Sequence, residues 1–246
     1  MKDNKKQDSI FIIFNSLIYN IFFILWTILW GGGLLPLSMI SKKAAYWVGY
    51  IWALVLLKAL TFICKISYEI EGNENIPKTA CIVAAKHEST WDTVFLLKHL
   101  YNPAFILKRE LLYIPIYGMH LICLRMIHIN RKHSKKSIKT ISQKSTNLIP
   151  SRRKIIIFPQ GTRTAPNEQK PYKSGIYAIS QETNLDILPI ALDSGKLWAR
   201  NAFIKYPGTI KVKILPSITS KDKNKKEFME ELESNIENAY KKLSAK

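Results

Sequence analysis

The sequence predicts an α/β layer fold with a largely parallel central sheet, preceded by a membrane-embedded pair of helices. Three observations carry that expectation. Short apolar runs alternate with helical patterns from residue 65 onward, as in successive strand–helix–strand units. Two long apolar stretches come before them. The two richest polar motifs each follow a short apolar run, and open α/β sheets place their sites at the carboxyl ends of strands.

The elements follow in order. Ile10 to Trp30 is mostly apolar and roughly 31 Å long as a helix, enough to cross a hydrocarbon core of about 30 Å. Ala45 to Ile63 is a second such run, interrupted by Lys58. Gly31-Gly32-Gly33 and Pro36 predict a flexible turn between them, and Trp26, Trp30, Trp47 and Trp52 stand where amphipathic rings favour a membrane interface. The first run is too long for a signal peptide, and no small-residue cleavage site follows it. Two full spans would return the rest of the chain to the side of Lys2, Lys5 and Lys6, whereas Lys42 and Lys43 in the connection suit a half-embedded pair. Thr79 to Ala85 reads as a buried strand and Trp91 to Leu100 as a helix with Ser89 or Thr90 as its cap. Ala104 to Leu107 (strand), Leu111 to Leu124 (apolar helix), Met126 to Ile129 (strand) and Ser134 to Ile149 (polar helix) continue the alternation. Lys154 to Phe158, Asp186 to Leu192 and Ile210 to Leu215 are further strands, with a helix over Ser174 to Thr183. A charged helix from Lys225 to Leu243 closes the chain, with Phe228, Met229, Leu232, Ile236 and Tyr240 on one stripe. The composition divides into an N-terminal helix pair over 1–64 and an α/β domain over 65–246.

A formal net charge of +19 calls for an anionic partner: nucleic acid, a phosphorylated metabolite or an acidic membrane. Much of the excess falls between Leu111 and Asn167, a stretch without Asp or Glu that carries Arg125, Arg131, Lys132, Lys135, Lys136, Lys139, Lys144, Arg152, Arg153, Lys154 and Arg163. Cys64, Cys81 and Cys123 are isolated and lie in apolar surroundings, which reads as structural thiols in a reducing compartment.

His87-Glu88-Ser89-Thr90-Trp91-Asp92 offers a base with a carboxylate partner. Two side chains five residues apart on one helix point about 140° away from each other, so they meet only if His87 precedes the helix and Asp92 lies in its first turn. The strand before His87 and the cap residues after it supply that context. Phe158-Pro159-Gln160-Gly161-Thr162-Arg163 offers a turn with a fixed cation. A serine nucleophile would want a Gly-x-Ser-x-Gly elbow, which is missing, so Ser89 and Thr90 read as caps. His99, His120, His128 and His133 read as structural or surface residues, and no second His, Asp or Glu cluster completes a metal site.

With those motifs in order, the chain resembles the glycerolipid acyltransferases of phospholipid synthesis, most closely the 1-acylglycerol-3-phosphate (lysophosphatidic acid) branch. His87-x-x-x-x-Asp92 matches the family's catalytic motif. Lys108-Arg109-Glu110-Leu111 matches the segment after it, and Ile129-Asn130-Arg131 the second motif, whose arginine contacts the glycerol phosphate. Phe158 to Arg163 matches the third and Leu188-Pro189-Ile190 the fourth. The third motif usually carries Glu where this chain has Gln160, which keeps the size and one acceptor oxygen and loses the charge.

The resemblance implies a glycerol-3-phosphate acyltransferase-like layered fold and transfer of an acyl group from acyl-CoA or acyl carrier protein to the sn-2 hydroxyl of lysophosphatidic acid, giving phosphatidic acid. A thioester is already activated, so the reaction asks for a base at the hydroxyl and no cofactor or metal. Imidazoles titrate near pH 6.5, which suits His87 to that step, with Asp92 setting its tautomer. Lys108, Arg131 and Arg163 would clamp the phosphate, assisted by Gly161 and Thr162, while Pro159, Gln160 and Pro189 support the motifs. Another lyso-lipid or glycerol-3-phosphate is the alternative acceptor. Outside enzymology, a non-catalytic basic membrane-surface adaptor remains open. A nucleic-acid binder lacks a reader module. The expected partners are anionic lipid, lysophosphatidic acid and the acyl donor, at the cytoplasmic face of the inner membrane.

Overall fold

The computed structural model describes residues 2–129 and 134–245. Three helices come first: α1 (Lys2–Gly33), α2 (Leu35–Ile40) and α3 (Lys42–Cys64). They are followed by β1 (Ile66–Glu71), β2 (Cys81–Ala85), α4 (Thr90–His99), β3 (Pro103–Lys108), α5 (Tyr117–Cys123), β4 (Ile127–Ile129) and α6 (Ser134–Thr146). The remainder is β5 (Lys154–Ile157), α7 (Gly175–Thr183), β6 (Ile187–Leu192), β7 (Gly208–Ile214) and α8 (Lys225–Ser244).

Seven strands form one sheet in the order β1-β7-β6-β2-β5-β3-β4, parallel throughout except where β6 meets β7. Side chains alternate across a strand, so each central strand feeds two cores. Val83 and Ala85 pack with Trp91, Phe95, Leu56 and Leu60 under α3 and α4. Ile82 and Ala84 pack with Ile141, Ile176 and the α8 stripe of Phe228, Leu232, Ile236 and Tyr240. Each fully buried side chain of that stripe contributes about 1.5–3 kcal/mol, so α8 is held by its tertiary face and not by its charged exterior. The five co-directional strands β6, β2, β5, β3 and β4 present their carboxyl ends on one side, and the polar motifs lie there.

The structure departs from the sequence reading in several places. Gly31 to Gly33 continues α1, and α2 follows with a proline in its first turn, where a missing N–H is tolerated, so a helical corner replaces the flexible turn. The helix expected over Leu111–Leu124 is broken at Pro115 into a 3-10 turn (Arg109–Tyr113) and α5. Strand β1 went unread because Glu69 and Glu71 face outward on it. The tryptophans knit α1 to α3: Trp26 Nε1 donates to the Trp52 carbonyl at 3.3 Å, Trp30 Nε1 to that of Val48 at 3.0 Å, and Trp52 Nε1 to Thr27 Oγ1 at 3.1 Å.

Both long N-terminal helices are long and apolar enough to cross a membrane. The face of α1 that carries Phe11, Phe14, Ile21, Ile24, Ile28 and Leu29 is exposed, while Tyr19 is buried against the α/β layers. An uncovered apolar stripe of this length marks a membrane-interaction surface. The attachment is firm at mid-helix: Asn20 Nδ2 donates to the Phe203 carbonyl at 3.1 Å, and Lys205 Nζ donates to Asn20 Oδ1 at 2.7 Å.

Candidate active site

The residues between β2 and α4 behave as the spacing demands. Ser89 is the helix cap, its Oγ accepting the Trp91 N–H at 3.1 Å, and Asp92 completes a capping box from the first turn. Asp92 Oδ2 accepts the Glu88 and Ser89 N–H groups at 2.8 and 2.9 Å, and His87 Nδ1 lies 2.8 Å from the same oxygen. Asp92 Oδ1 accepts the Ser194 hydroxyl at 2.5 Å. The buried carboxylate is therefore fully engaged, which fixes its plane and that of the imidazole. The His87 ring also stacks on Phe158, with centroids 3.8 Å apart and planes 13° from parallel. Nδ1 is taken by Asp92, which leaves Nε2 for the cavity that His87 lines.

The turn after β5 wraps around His87 from the other side. Gln160 is buried, and its Oε1 accepts the His87 N–H at 3.0 Å. The Thr164 N–H donates to the His87 carbonyl at 2.8 Å. Gly161 has φ of 72°, a left-handed conformation that would cost a residue with a Cβ about 1 kcal/mol or more. Its own N–H donates to the Phe158 carbonyl at 2.9 Å. Pro159 is buried, Thr162 is half-buried, and both line the cavity. Pro189 lies in β6 opposite Ala84 of β2, under the same loop.

Arg163 is half-buried and lines the cavity. Burial pulls its pKa below the ordinary guanidinium value, with Asp92 and Tyr117 opposing and Arg200 adding to the effect. A guanidinium stays charged through such a shift, so a partly desolvated cation stands beside the His–Asp pair. Lys108, exposed at the carboxyl end of β3, lines the same cavity. Arg131 lies outside the described residues, as do Lys132 and His133.

The cavity has a volume of about 1020 Å³, at the upper end of small-molecule sites, so it takes more than a polar headgroup. Its apolar wall runs from His87 past Leu97 and Phe105 to Trp30, Gly31 and Trp52 of the N-terminal helices. His120 helps to close it, its Nε2 lying 2.8 Å from the Gly31 carbonyl.

Several residues at the site were missed in the sequence. Ser194 reaches Asp92 from the turn after β6, Lys173 stands against Gly161, and the Arg200 guanidinium donates to the Arg163 carbonyl at 3.3 Å. Lys173 and Arg200 also line the cavity. A partial signal for Ser194 was present: Asp193-Ser194-Gly195 directly follows a buried apolar strand, at the carboxyl end where sites form. Conversely, two cations of the basic stretch are structural. Arg153 is buried, with its guanidinium donating to the carbonyls of Asn102, Pro103, Leu124 and Arg125. Lys154 is buried, its ammonium on the carbonyls of Pro77 and Thr79.

Fold and site define a layered α/β protein whose buried carboxylate orients an imidazole in a large, mostly apolar cavity that a guanidinium also lines. The chain belongs to the acyltransferase family, whose model, described as Acyltransferase, matches residues 67–193. It is 35% identical over 167 residues to a 1-acyl-sn-glycerol-3-phosphate acyltransferase of Pseudomonas aeruginosa, covering 68% of this chain and 65% of that one. It is 28% identical over 177 residues to the enzyme of that name from Cocos nucifera, covering 71% and 57%. The chain thus spans just under two thirds, or less, of these curated relatives. The crystal structure of the 1-acyl-sn-glycerophosphate (LPA) acyltransferase from Thermotoga maritima has the same fold, with a TM-score of 0.82, 22% identity and coverage of 97% of this chain and 98% of that one.

Proposed function

We propose that this protein transfers a fatty acyl group from a thioester, acyl-CoA or acyl carrier protein, to the sn-2 hydroxyl of 1-acyl-glycerol-3-phosphate. The observation that carries the reading is the 2.8 Å contact of His87 Nδ1 with a saturated Asp92 in a mostly apolar cavity. His87 Nε2 takes the acceptor hydroxyl's proton as the oxygen attacks the thioester carbon. The carbon–sulfur bond breaks, and the proton passes to the departing thiolate. Asp92 stabilises the imidazolium formed in between. No covalent enzyme intermediate is required, and no cofactor enters.

Arg163 and Lys108, with Arg131, hold the acceptor phosphate, and holding it fixes the hydroxyl near the thioester. The Gly161 N–H is committed to Phe158, so backbone help for the phosphate falls to Thr162 and Arg163, with Gly161 shaping the turn. The names of the relatives support lysophosphatidic acid as acceptor. The apolar wall beyond His87 accommodates an acyl chain, and the exposed stripe of α1 sits in lipid. We assign the N-terminal helices to the inner membrane and the α/β domain that follows them to its cytoplasmic side, where both donors are found.

The test is an acceptor–donor matrix with purified protein in detergent: lysophosphatidic acid, glycerol-3-phosphate and other lyso-lipids against both donors, with His87→Ala as control. Transfer to lysophosphatidic acid that is lost in the control supports the reading. Preference for another acceptor moves the assignment within the family, and lipid binding without transfer would replace it with an adaptor.

A further inference from the structure

Next to the His87–Asp92 pair lies a buried cluster that the acyl-transfer chemistry does not use. Glu88 is 0% exposed. Its Oε2 accepts the Gly195 N–H at 3.0 Å, and the Tyr240 hydroxyl stands beside the carboxyl group. Lys86, beside it, is already engaged: its Nζ lies 2.9 Å from both oxygens of Glu237 and 4.2 Å from the centre of the Tyr240 ring. Tyr172 donates to Glu237 at 2.8 Å, and the Tyr240 hydroxyl beside Glu88 accepts the Asn167 N–H at 3.0 Å.

The turn Ser194–Gly195 is held between two carboxyl groups. Ser194 Oγ donates to Asp92 Oδ1 at 2.5 Å, and the next residue's N–H donates to Glu88. A Cβ at Gly195 would stand 2.8 Å from both Cβ and Oε2 of Glu88, so the turn rests directly on that side chain. A serine hydroxyl on a glycine-containing turn has many alternatives to one fixed hydrogen bond, and ordering it has an entropic cost that an anchor must offset.

We infer that Glu88 is a positioning residue for the acyl-transfer site: by holding the Gly195 backbone it keeps the Ser194 hydroxyl on Asp92, and so keeps Asp92 square to His87. This rests on the reading of His87 and Asp92 as base and orienter. The neutral acid suits the task. Burial, and then the Asp92 charge, push the Glu88 pKa up to about 8, against the lowering effects of Tyr240, the Gly195 N–H and Lys86. The groups around it come from the residue after β2 (Lys86), α4 (Asp92), α8 (Glu237 and Tyr240) and the segment before α7 (Tyr172). Lys196 turns away toward Asp193 and the Ser244 carbonyl. Ionised Glu88 would put a second buried carboxylate beside Asp92, with Lys86 already paired to Glu237 and the Arg163 guanidinium acting on Asp92 from the cavity side. Repulsion on that scale in a buried site loosens the turn.

The experiment uses the full chain in detergent, with 1-oleoyl-glycerol-3-phosphate and palmitoyl-CoA or palmitoyl-acyl carrier protein, and reads kcat and KM from pH 6 to 9.5. Glu88→Ala and Ser194→Ala should each lower kcat about 10- to 100-fold with KM changed by less than about threefold. Because both act through one contact, the double variant should fall no lower than about threefold below the worse single. Glu88→Gln, whose amide oxygen can accept from Gly195, should recover most of the loss. It should also lack the alkaline decline, centred near the Glu88 pKa, that we expect in the parent. Multiplying losses, an unchanged kcat in folded Glu88→Ala, or an alkaline decline retained in Glu88→Gln would each overturn the inference. If Glu88→Ala does not fold, the Gln profile decides. A parent inactive toward lysophosphatidic acid, or a fully active His87→Ala, overturns the underlying reading instead.

Discussion

Gln160 Oε1 accepts the backbone N–H of His87 at 3.0 Å, tying the turn after β5 to the residue proposed as the base. The contact explains how an uncharged side chain can serve in a motif that the resemblance leads one to expect with Glu: the position needs an acceptor oxygen, and either residue supplies one. Gln160 Nε2 reaches Thr164 Oγ1 only at 3.5 Å, so the amide donor adds little.

Gln160→Glu should therefore keep turnover within about fivefold of the parent, with the Thr164 hydroxyl redirected to the new carboxylate. Gln160→Leu should cost more, because it strands a buried N–H, worth about 1–3 kcal/mol, and frees the base. Steady-state rates with lysophosphatidic acid, beside thermal unfolding, distinguish the two. An inactive but folded Glu variant would show that the position has a different task.

His87→Ala should lower kcat by on the order of a thousandfold or more, by analogy with triad variants. Asp92→Asn should cost a comparable factor by a different route. The amide can present its NH2 toward His87 Nδ1, which reverses the tautomer and removes the free Nε2 lone pair. Asp92 also caps α4, so unfolding must be followed in parallel: loss of the capping box alone costs about 1 kcal/mol and leaves the protein folded. Full turnover by His87→Ala would end the assignment of the base.

How much of this was open in the sequence depends on what each feature requires. The His–Asp pair could be placed because a strand, a turn and a capping signal are local and their geometry follows from spacing. Most strands were legible as apolar runs, while β1 hid behind outward Glu69 and Glu71. Ser194 was not found at the site because its contact with Asp92 spans 102 positions and depends on β6 lying beside β2, which is a property of strand order. Lys173 and Arg200 were passed over for the same reason. The basic stretch misled in the opposite direction: charge counts cannot separate an exposed cation from one that is buried on carbonyls.

Glu88 makes stability depend on pH in a defined direction. Its folded pKa of about 8 lies above the ordinary carboxyl value of 4.5, so between those values the native state holds a proton that the unfolded chain has released. Stability from this group is fully present below about pH 4.5, declines as pH rises, and is lost above about 8. Glu88→Gln should remove that slope. Its melting temperature should exceed the parent's at pH 8.5, with the gap closing toward pH 4.5. Parallel curves for the two proteins would mean that Glu88 is ionised in the fold.

Arg163→Lys tests the guanidinium of the site. A lysine keeps the charge but loses the planar fork that binds a phosphate through two nitrogens, so KM for lysophosphatidic acid should rise about 10-fold or more. Arg163→Ala should also lower kcat, because an unclamped acceptor no longer holds its hydroxyl at the thioester. An acceptor without a phosphate should be equally poor with all three proteins. Equal loss on phosphorylated and unphosphorylated acceptors would reassign Arg163 to supporting the turn.

Arg153 separates structural from functional cations. Its guanidinium is buried among four backbone carbonyls that link the segments before β3, β4 and β5. Arg153→Met preserves the stem and removes every donor, leaving those carbonyls short of partners at a cost of about 1–3 kcal/mol for each one that water cannot reach. The variant should unfold at a lower temperature while its binding to anionic vesicles keeps the parent's salt dependence. Exposed Arg152, the neighbour in sequence, should show the reverse when changed to Gln: little loss of stability, within about 0.5 kcal/mol, and a shallower salt dependence. A weakened salt dependence in Arg153→Met would mean that the buried guanidinium reaches the lipid after all, and that its carbonyl contacts are not what keeps it there.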